Sequence, residues 1–363
     1  MIGRILAATC VALVLASGAS AAGSYDDSTC RAAVVSWTND PCAGRQWGIV
    51  NVQAPQAWTV TQGAGATVAV VDTGADFNHP DLKANLLAVS GSDMTKNTAY
   101  TCPFQRAGKK ARNSTAIAQD DNGHGTHVSG TIAAVTGNGV GVAGVAPAAK
   151  VLPVKVLDAS GSGSDSDVAR GICFAADKGA QVINLSLGFD PAGSVIVTAL
   201  GNDTDNAIDY AYSKGAAVII AAGNESFPAC DFPASYSKAL CVGAVDRNDV
   251  KAWYSNFGTN VGVVAPGGVG SVLCNDDGDV WSTIWPGSGF DCGANGYDPL
   301  AGTSMATPHV SAVAALIVAK YGAAATPAFV YSKLKATADD LGAPGFDPAY
   351  GYGRVNAYRA VTG

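Results

Sequence analysis

Between residues 66 and 246 the chain alternates between two hydrophobic rhythms. Continuous apolar runs occur at "ATVAVVD" (66–72), "AKVLPVKVL" (149–157), "AQVINLSLG" (180–188), "AAVIIAAGN" (216–224) and "ALCVGAVD" (239–246). They read as strands, and their lack of in–out alternation suits a parallel sheet covered on both faces. Between them, residues 124–135, 166–179 and 195–215 carry apolar positions at helical spacing, and a long alanine-rich helix is expected from Ser304 toward Tyr321. Strand–helix alternation of this kind predicts an α/β fold, a three-layer α/β/α sandwich with a mainly parallel central sheet. Neither an internal repeat nor a linker interrupts it. The stretches 90–122 and 266–301 show neither rhythm and read as surface insertions.

Composition narrows the function. At 363 residues and 48% hydrophobic content, one large core is possible. The formal net charge of −7, with no basic run beyond "GKKAR" (108–112), argues against nucleic acid as a partner. Glu225 is the only glutamate among 29 acidic residues, and aspartate suits turns and hard-cation sites better than helix faces. Residues 1–22 place Arg4 before a short apolar run and small residues, the pattern of a secretory signal and too short for an anchor. The mature protein is therefore expected to be secreted, free of the membrane and monomeric. Eight of the nine cysteines lie beyond that segment, with no CxxC pair, so disulfides are expected. Eight cysteines allow 105 pairings; Cys230–Cys241 and Cys274–Cys292 are the local pairs preferred here.

Three short segments carry candidate chemistry. "VAVVDTG" puts Asp72 at the carboxyl end of a buried strand, where open parallel sheets hold their ligands. "NGHGTHVSG" puts His124 at a helix start, and "GTSMATPHV" puts Ser304 at another. Ser304 is either a helix cap or a nucleophile. A hydroxyl nucleophile needs a base, and the base needs a carboxylate to fix its tautomer; those three residue types are at hand, each at an element terminus. The two histidines of "HGTH" have no carboxylate motif beside them that would suggest zinc. His79, His127 and His309 read as packing residues.

In the order Asp, His, Ser, these motifs resemble the subtilisin-type (subtilase) serine proteases, nearest to the thermitase and proteinase K branches. The resemblance runs from about residue 46 to "YGYGRVNA" (350–357). It implies a secreted serine endopeptidase working through an acyl-enzyme on protein or peptide substrates, with no organic cofactor. Asp72 would orient His124, His124 would take the Ser304 proton, and Asn224 of "AAGNES" would donate to the oxyanion. Ser186, Leu187 and Gly188 would pair with an extended substrate through their backbones. Glu225 would sit at the rim of the P1 pocket and Asp231 near its base; whether Asp231 faces the pocket or points away into a loop stays open, and with it a basic against a broad apolar preference. A structural Ca²⁺ is implied at Asp40, Asp81, Val135, Asn138, Val140 and Val142, the valines giving carbonyls.

The N-terminus departs from the family pattern. Residues 23–45 are too short for the folding-assisting prodomain that secreted subtilases generally carry, and 46–363 is expected to be the catalytic domain. That departure motivates an alternative, a catalytically silent subtilase fold that binds peptides.

Overall fold

The computed structural model describes residues 25–96, 100–105, 115–188, 197–198, 203–271, 276–288, 290 and 295–363. The expected signal at 1–22 and the Cys274–Cys292 pair lie outside them. Six strands form the central sheet: β1 (Thr67–Asp72), β2 (Lys150–Lys155), β3 (Val182–Leu185), β4 (Ala217–Ala221), β5 (Ala239–Val245) and β6 (Val261–Pro266), in the order β2-β1-β3-β4-β5-β6. Every neighbouring pair is parallel. The sixth strand is one the apolar runs did not single out.

Successive residues of β1 point to opposite faces and bury against different helices. Val68 and Val70 join Val128 and Ile132 of α1 (His124–Ala133) and Val310 and Val313 of α4 (Thr303–Tyr321). Ala69 and Val71 pack with Val168 and Ile172 of α2 (Asp165–Asp177) and Ile208 of α3 (Asp203–Ser213). Helices therefore cover both faces, the three-layer α/β/α arrangement. Helix α4 is buried from Thr303 to Val318 except at Ser304, as a helix apolar on all sides must be. Among the described residues no helix is long and apolar enough to cross a membrane.

Two expectations are corrected. Of the helix expected over 195–215, the described part is Asp203–Ser213, and Val197–Thr198 instead pairs in parallel with Gly163–Ser164. The β-branched run "VIVT" favours extended backbone, whereas Asp203 and Asp205 suit a helix's first turn. Nor is 266–301 a surface insertion throughout. It contains an antiparallel pair, β7 (Val280–Thr283) and β8 (Tyr297–Leu300), with Trp281 and Tyr297 buried. Its polar residues hid the pattern because they bond to helix backbone instead of water: Ser282 Oγ donates to His127 O (2.8 Å) and Thr283 Oγ1 to Thr126 O (2.9 Å). The N-terminal stretch docks on this pair, where Asp26 N donates to Asn295 O and the Arg45 guanidinium lies over the Trp281 ring.

Three disulfides join Cys30 to Cys42, Cys102 to Cys173 and Cys230 to Cys241. The last is the expected local pair.

Candidate active site

Parallel strands end together, and β1, β3 and β4 open a crevice at their carboxyl ends. Asp72, the last residue of β1, is buried, and its Oδ1 lies 2.8 Å from His124 Nδ1 at the first position of α1. The same oxygen accepts from Thr73 N (2.7 Å), while Oδ2 has no partner among the described residues. The His124 side chain is 10% exposed. Burial pulls its pKa down, but the charge and hydrogen bond of Asp72 and the charge of Asp120 outweigh burial and hold it above 6.5.

Asp120 went unrecognised in the sequence. Its buried carboxylate accepts from Thr73 Oγ1 (2.9 Å), Asn122 N (3.0 Å), Gly123 N (3.0 Å), Thr126 N (3.0 Å) and Thr126 Oγ1 (2.5 Å). Gly125 N donates in turn to Thr73 Oγ1 (2.9 Å). The first turn of α1 is thereby tied to the end of β1, which fixes His124 against Asp72. An acid placed just before a helix start is the signal that could have found it.

Ser304 is not a helix cap. The N-cap of α4 is Gly302, whose φ of +150° favours glycine, and Ser304 is the second residue of the helix. Its Oγ donates to Ser186 O (3.1 Å), and Ser186 Oγ donates back to Ser304 O (2.8 Å). That carbonyl is available because Pro308, four residues on, has no N–H to offer it. Behind the pair, Asn184 Nδ2 donates to Ser186 Oγ and Ser311 Oγ to Asn184 Oδ1. His124, Asn224 and Ser304 line one cleft of about 340 Å³ together with Thr73, Asn122 and Leu300.

Asn224 is oriented by its oxygen. Oδ1 accepts from Thr303 N (2.9 Å) and Thr303 Oγ1 (3.0 Å), so the amide NH₂ must point the opposite way. As the second residue of α4, Ser304 has a backbone N–H with no acceptor inside the helix. Ser186 and Leu187 are buried beyond the end of β3, and Gly188 follows them toward Asp231 and Phe232. Glu225 Oε2 accepts from Asn256 Nδ2 (2.9 Å), and Asp231 is held by its N–H to Ala222 O (2.9 Å).

The expected metal-binding residues also come together. Buried Asp81 accepts from Asn138 Nδ2 (2.8 Å) and Val142 N (2.9 Å), and its own carbonyl accepts from Val135 N (2.8 Å). Val140 N donates to Asn138 Oδ1 (2.8 Å). Burial pushes the Asp81 carboxyl well above the usual range, despite those two bonds, and the charge of Asp40 adds to the rise. Asp40 is saturated: Thr38 Oγ1 and the N–H groups of Gly137, Asn138 and Gly139 all donate to it. Among the described residues no three His, Cys, Asp or Glu side chains gather for a metal, and His127 Nε2 faces the carbonyls of Val280 and Asp298.

Comparison with known proteins gives the family. Residues 63–353 match the Subtilase family. Thermitase of Thermoactinomyces vulgaris is 42% identical over 324 residues, covering 89% of this chain and 98% of that one. Subtilisin Savinase of Lederbergia lenta is 40% identical over 320 residues, covering 87% and 98%. A solved protease structure from Pseudoalteromonas arctica PAMC 21717 superposes with a TM-score of 0.73 at 37% identity, covering 90% and 99%. The chain therefore belongs to the subtilase family and is a subtilisin-type serine endopeptidase, acting on peptide or protein substrates.

Proposed function

We propose that Asp72, His124 and Ser304 are the catalytic triad and that Asn224 and the Ser304 N–H form the oxyanion hole. The observation that carries this reading is the 2.8 Å Asp72–His124 pair facing the same cleft as Ser304 and Asn224. With its Nδ1 proton directed at Asp72, His124 keeps Nε2 as the proton acceptor. Rotation about the Ser304 Cα–Cβ bond turns Oγ from the Ser186 carbonyl toward that nitrogen. Oγ then attacks the scissile carbonyl as its proton passes to Nε2. The Asn224 amide and the Ser304 N–H receive the charge on the carbonyl oxygen, and the α4 dipole favours that charge. His124 protonates the leaving amine, and water, deprotonated by His124, hydrolyses the acyl-enzyme.

Ser186, Leu187 and Gly188 offer backbone groups to an extended peptide beyond β3, a form of strand addition. Glu225 and Asp231 line the pocket for the residue before the cut.

A structural Ca²⁺ is placed at the loop around Asp81, a buried carboxylate whose oxygens accept from the Asn138 amide and the Val142 N–H. Asp81, the Asn138 amide oxygen and the carbonyls of Val135, Val140 and Val142 would hold it; Asp40 would join only by releasing a backbone donor. When bound, such an ion would supply the charge that keeps Asp81 ionised and would tie the loop to the domain.

The protein is read as secreted and monomeric, with residues 1–22 as signal, 23–45 as a docked lead and 46–363 as the catalytic domain. Cleavage of a mixed peptide library by the purified chain, wild type beside Ser304→Ala, tests the hydrolase reading. Loss of all cleavage in the variant is expected. No cleavage by folded wild type with calcium present would leave the silent peptide-binding fold.

A further inference from the structure

Pro308 leaves the Ser304 carbonyl without its helical donor, and the hydroxyl that takes the donor's place is itself held by two more residues. Strand β3 lies between β1 and β4, and Val182 and Asn184 share the face that α4 covers. Asn184 is fully buried there, at a depth where an unpaired amide is costly.

Its partners form a chain with one direction. Ser311, further along α4 than Ser304, donates its hydroxyl to Asn184 Oδ1 (2.8 Å). The amide nitrogen can only donate, and it does so to Ser186 Oγ (3.0 Å). The one hydroxyl proton of Ser186 is therefore left for Ser304 O (2.8 Å), and Ser304 Oγ closes the circuit on Ser186 O (3.1 Å). Ser311 departs from the habit of its neighbours. Ser129 Oγ, Thr131 Oγ1 and Thr307 Oγ1 each donate to the carbonyl four residues back in their own helix, whereas Ser311 reaches a strand residue 127 positions away. Asn184, Ser186 and Ser311 are all fully buried, so bulk water cannot stand in for any of them.

We propose that Ser186, through its hydroxyl, and Asn184 and Ser311 behind it are positioning residues for the nucleophile. The inference rests on the triad reading above. Gripping the Ser304 carbonyl fixes the Cα from which both its N–H and its Oγ project. The grip comes from the segment that pairs with the substrate, so it also sets the distance between the bound peptide and Oγ. Asn224 holds Thr303 from beyond β4 and Ser186 holds Ser304 from beyond β3, which clamps the first turn of α4 from two neighbouring strands. Asn184 and Ser311 touch neither substrate nor Ser304; they keep the Ser186 hydroxyl turned as a donor.

The test uses the full chain, a tetrapeptide p-nitroanilide and phenylboronic acid, which forms a reversible tetrahedral adduct on a serine hydroxyl. Ser186→Ala and Asn184→Leu should each lower kcat about tenfold and Ser311→Ala about threefold, with KM inside about twofold, because the backbone that pairs with substrate is unaltered. Affinity for phenylboronic acid should fall by the same factors. A relay is non-additive: in a Ser186→Ala background, Ser311→Ala should add nothing to the loss already present. Those two variants each delete one oxygen atom, so the cycle can be completed even where Asn184→Leu does not fold. Wild-type kcat in both overturns the proposal, as does a Ser311→Ala loss undiminished without the Ser186 hydroxyl, or a loss confined to KM or to melting temperature. Ser304→Ala tests the reading beneath: cleavage that persists there refutes the triad. An inactive Ser304→Ala beside unaffected Ser186→Ala and Ser311→Ala removes the relay alone.

Discussion

Gly125 sets the distance between His124 and Asp72, and replacing it by alanine tests that directly. Helix α1 approaches the turn after β1 so closely that a Cβ at Gly125 would lie 2.1 Å from Gly74 O and 3.0 Å from Gly74 N. Ordinary contacts begin near 3.4 Å, so the two backbones must separate by about 1.3 Å. Their links are Gly125 N to Thr73 Oγ1 (2.9 Å), Asp76 N to Thr126 Oγ1 (3.0 Å), the Asp120 carboxylate that bridges Thr73 Oγ1 to Thr126, and the Asp72–His124 pair itself. Passing the full separation to that pair stretches 2.8 Å to about 4.1 Å, outside hydrogen-bond range. Misplacement on this scale costs on the order of 10²-fold in kcat, and overpacking costs about 1–3 kcal/mol of stability. KM should change little, because the substrate-pairing segment 186–188 is untouched. Steady-state kinetics on a chromogenic peptide, with melting of the inhibitor-blocked protein, measure both. A folded Gly125→Ala enzyme with kcat within twofold of wild type would refute the reasoning.

Asn224→Ala should lower kcat by about 10²–10³ with little change in KM, the magnitude known for this donor in subtilisin itself; an equal loss in KM would point to substrate binding instead. Because His124 is held above 6.5 and the base must be neutral, kcat/KM should fall as pH drops through a value above 6.5 and stay level on the alkaline side. An acid limb at or below 6.5 contradicts the Asp72 coupling. Burial pushes Asp298 up to about 7, and its Oδ2 has no partner among the described residues. An acid raised from 3.8 in the folded state loses stability as pH climbs from about 4 to 7, where the unfolded chain gives up its proton first, by at most about 4 kcal/mol. In a Ser304→Ala background Asp298→Asn should flatten that slope in calorimetric melts; identical slopes would remove Asp298 as its source. A chelator should lower the melting temperature by an amount reflecting about 3 kcal/mol at calcium near 100 Kd, and Asp81→Asn should abolish the sensitivity; an equal chelator response in both proteins would move the ion elsewhere.

Strand residues such as 68–71 and 217–221 were legible because burial on both faces leaves an unbroken apolar run, and the site motifs because glycine and a catalytic residue type stand together at element ends. What the sequence hid was polar structure made by contacts between distant segments. Ser282 and Thr283 look like loop residues until α1 supplies their partners, 155 and 157 positions away in the contacts they make. Asp120 looks like any turn aspartate until Thr73 and Thr126 converge on it. Asn256 likewise carries no local signature, since its partners are Ala222, Glu225 and Phe227.

The bond between Cys102 and Cys173 spans 71 positions and encloses His124 and all of α1. In the chain-entropy account a loop of that length removes about 4 kcal/mol of freedom from the unfolded chain. For a protease surrounded by copies of itself there is a second consequence. A nick anywhere between those cysteines cuts the backbone without releasing a piece: α1 and its histidine remain covalently tied to α2, through Cys173, and packed on the sheet. Early self-cleavage in this region should yield a product that runs as one band until the disulfide is reduced, and as two afterwards.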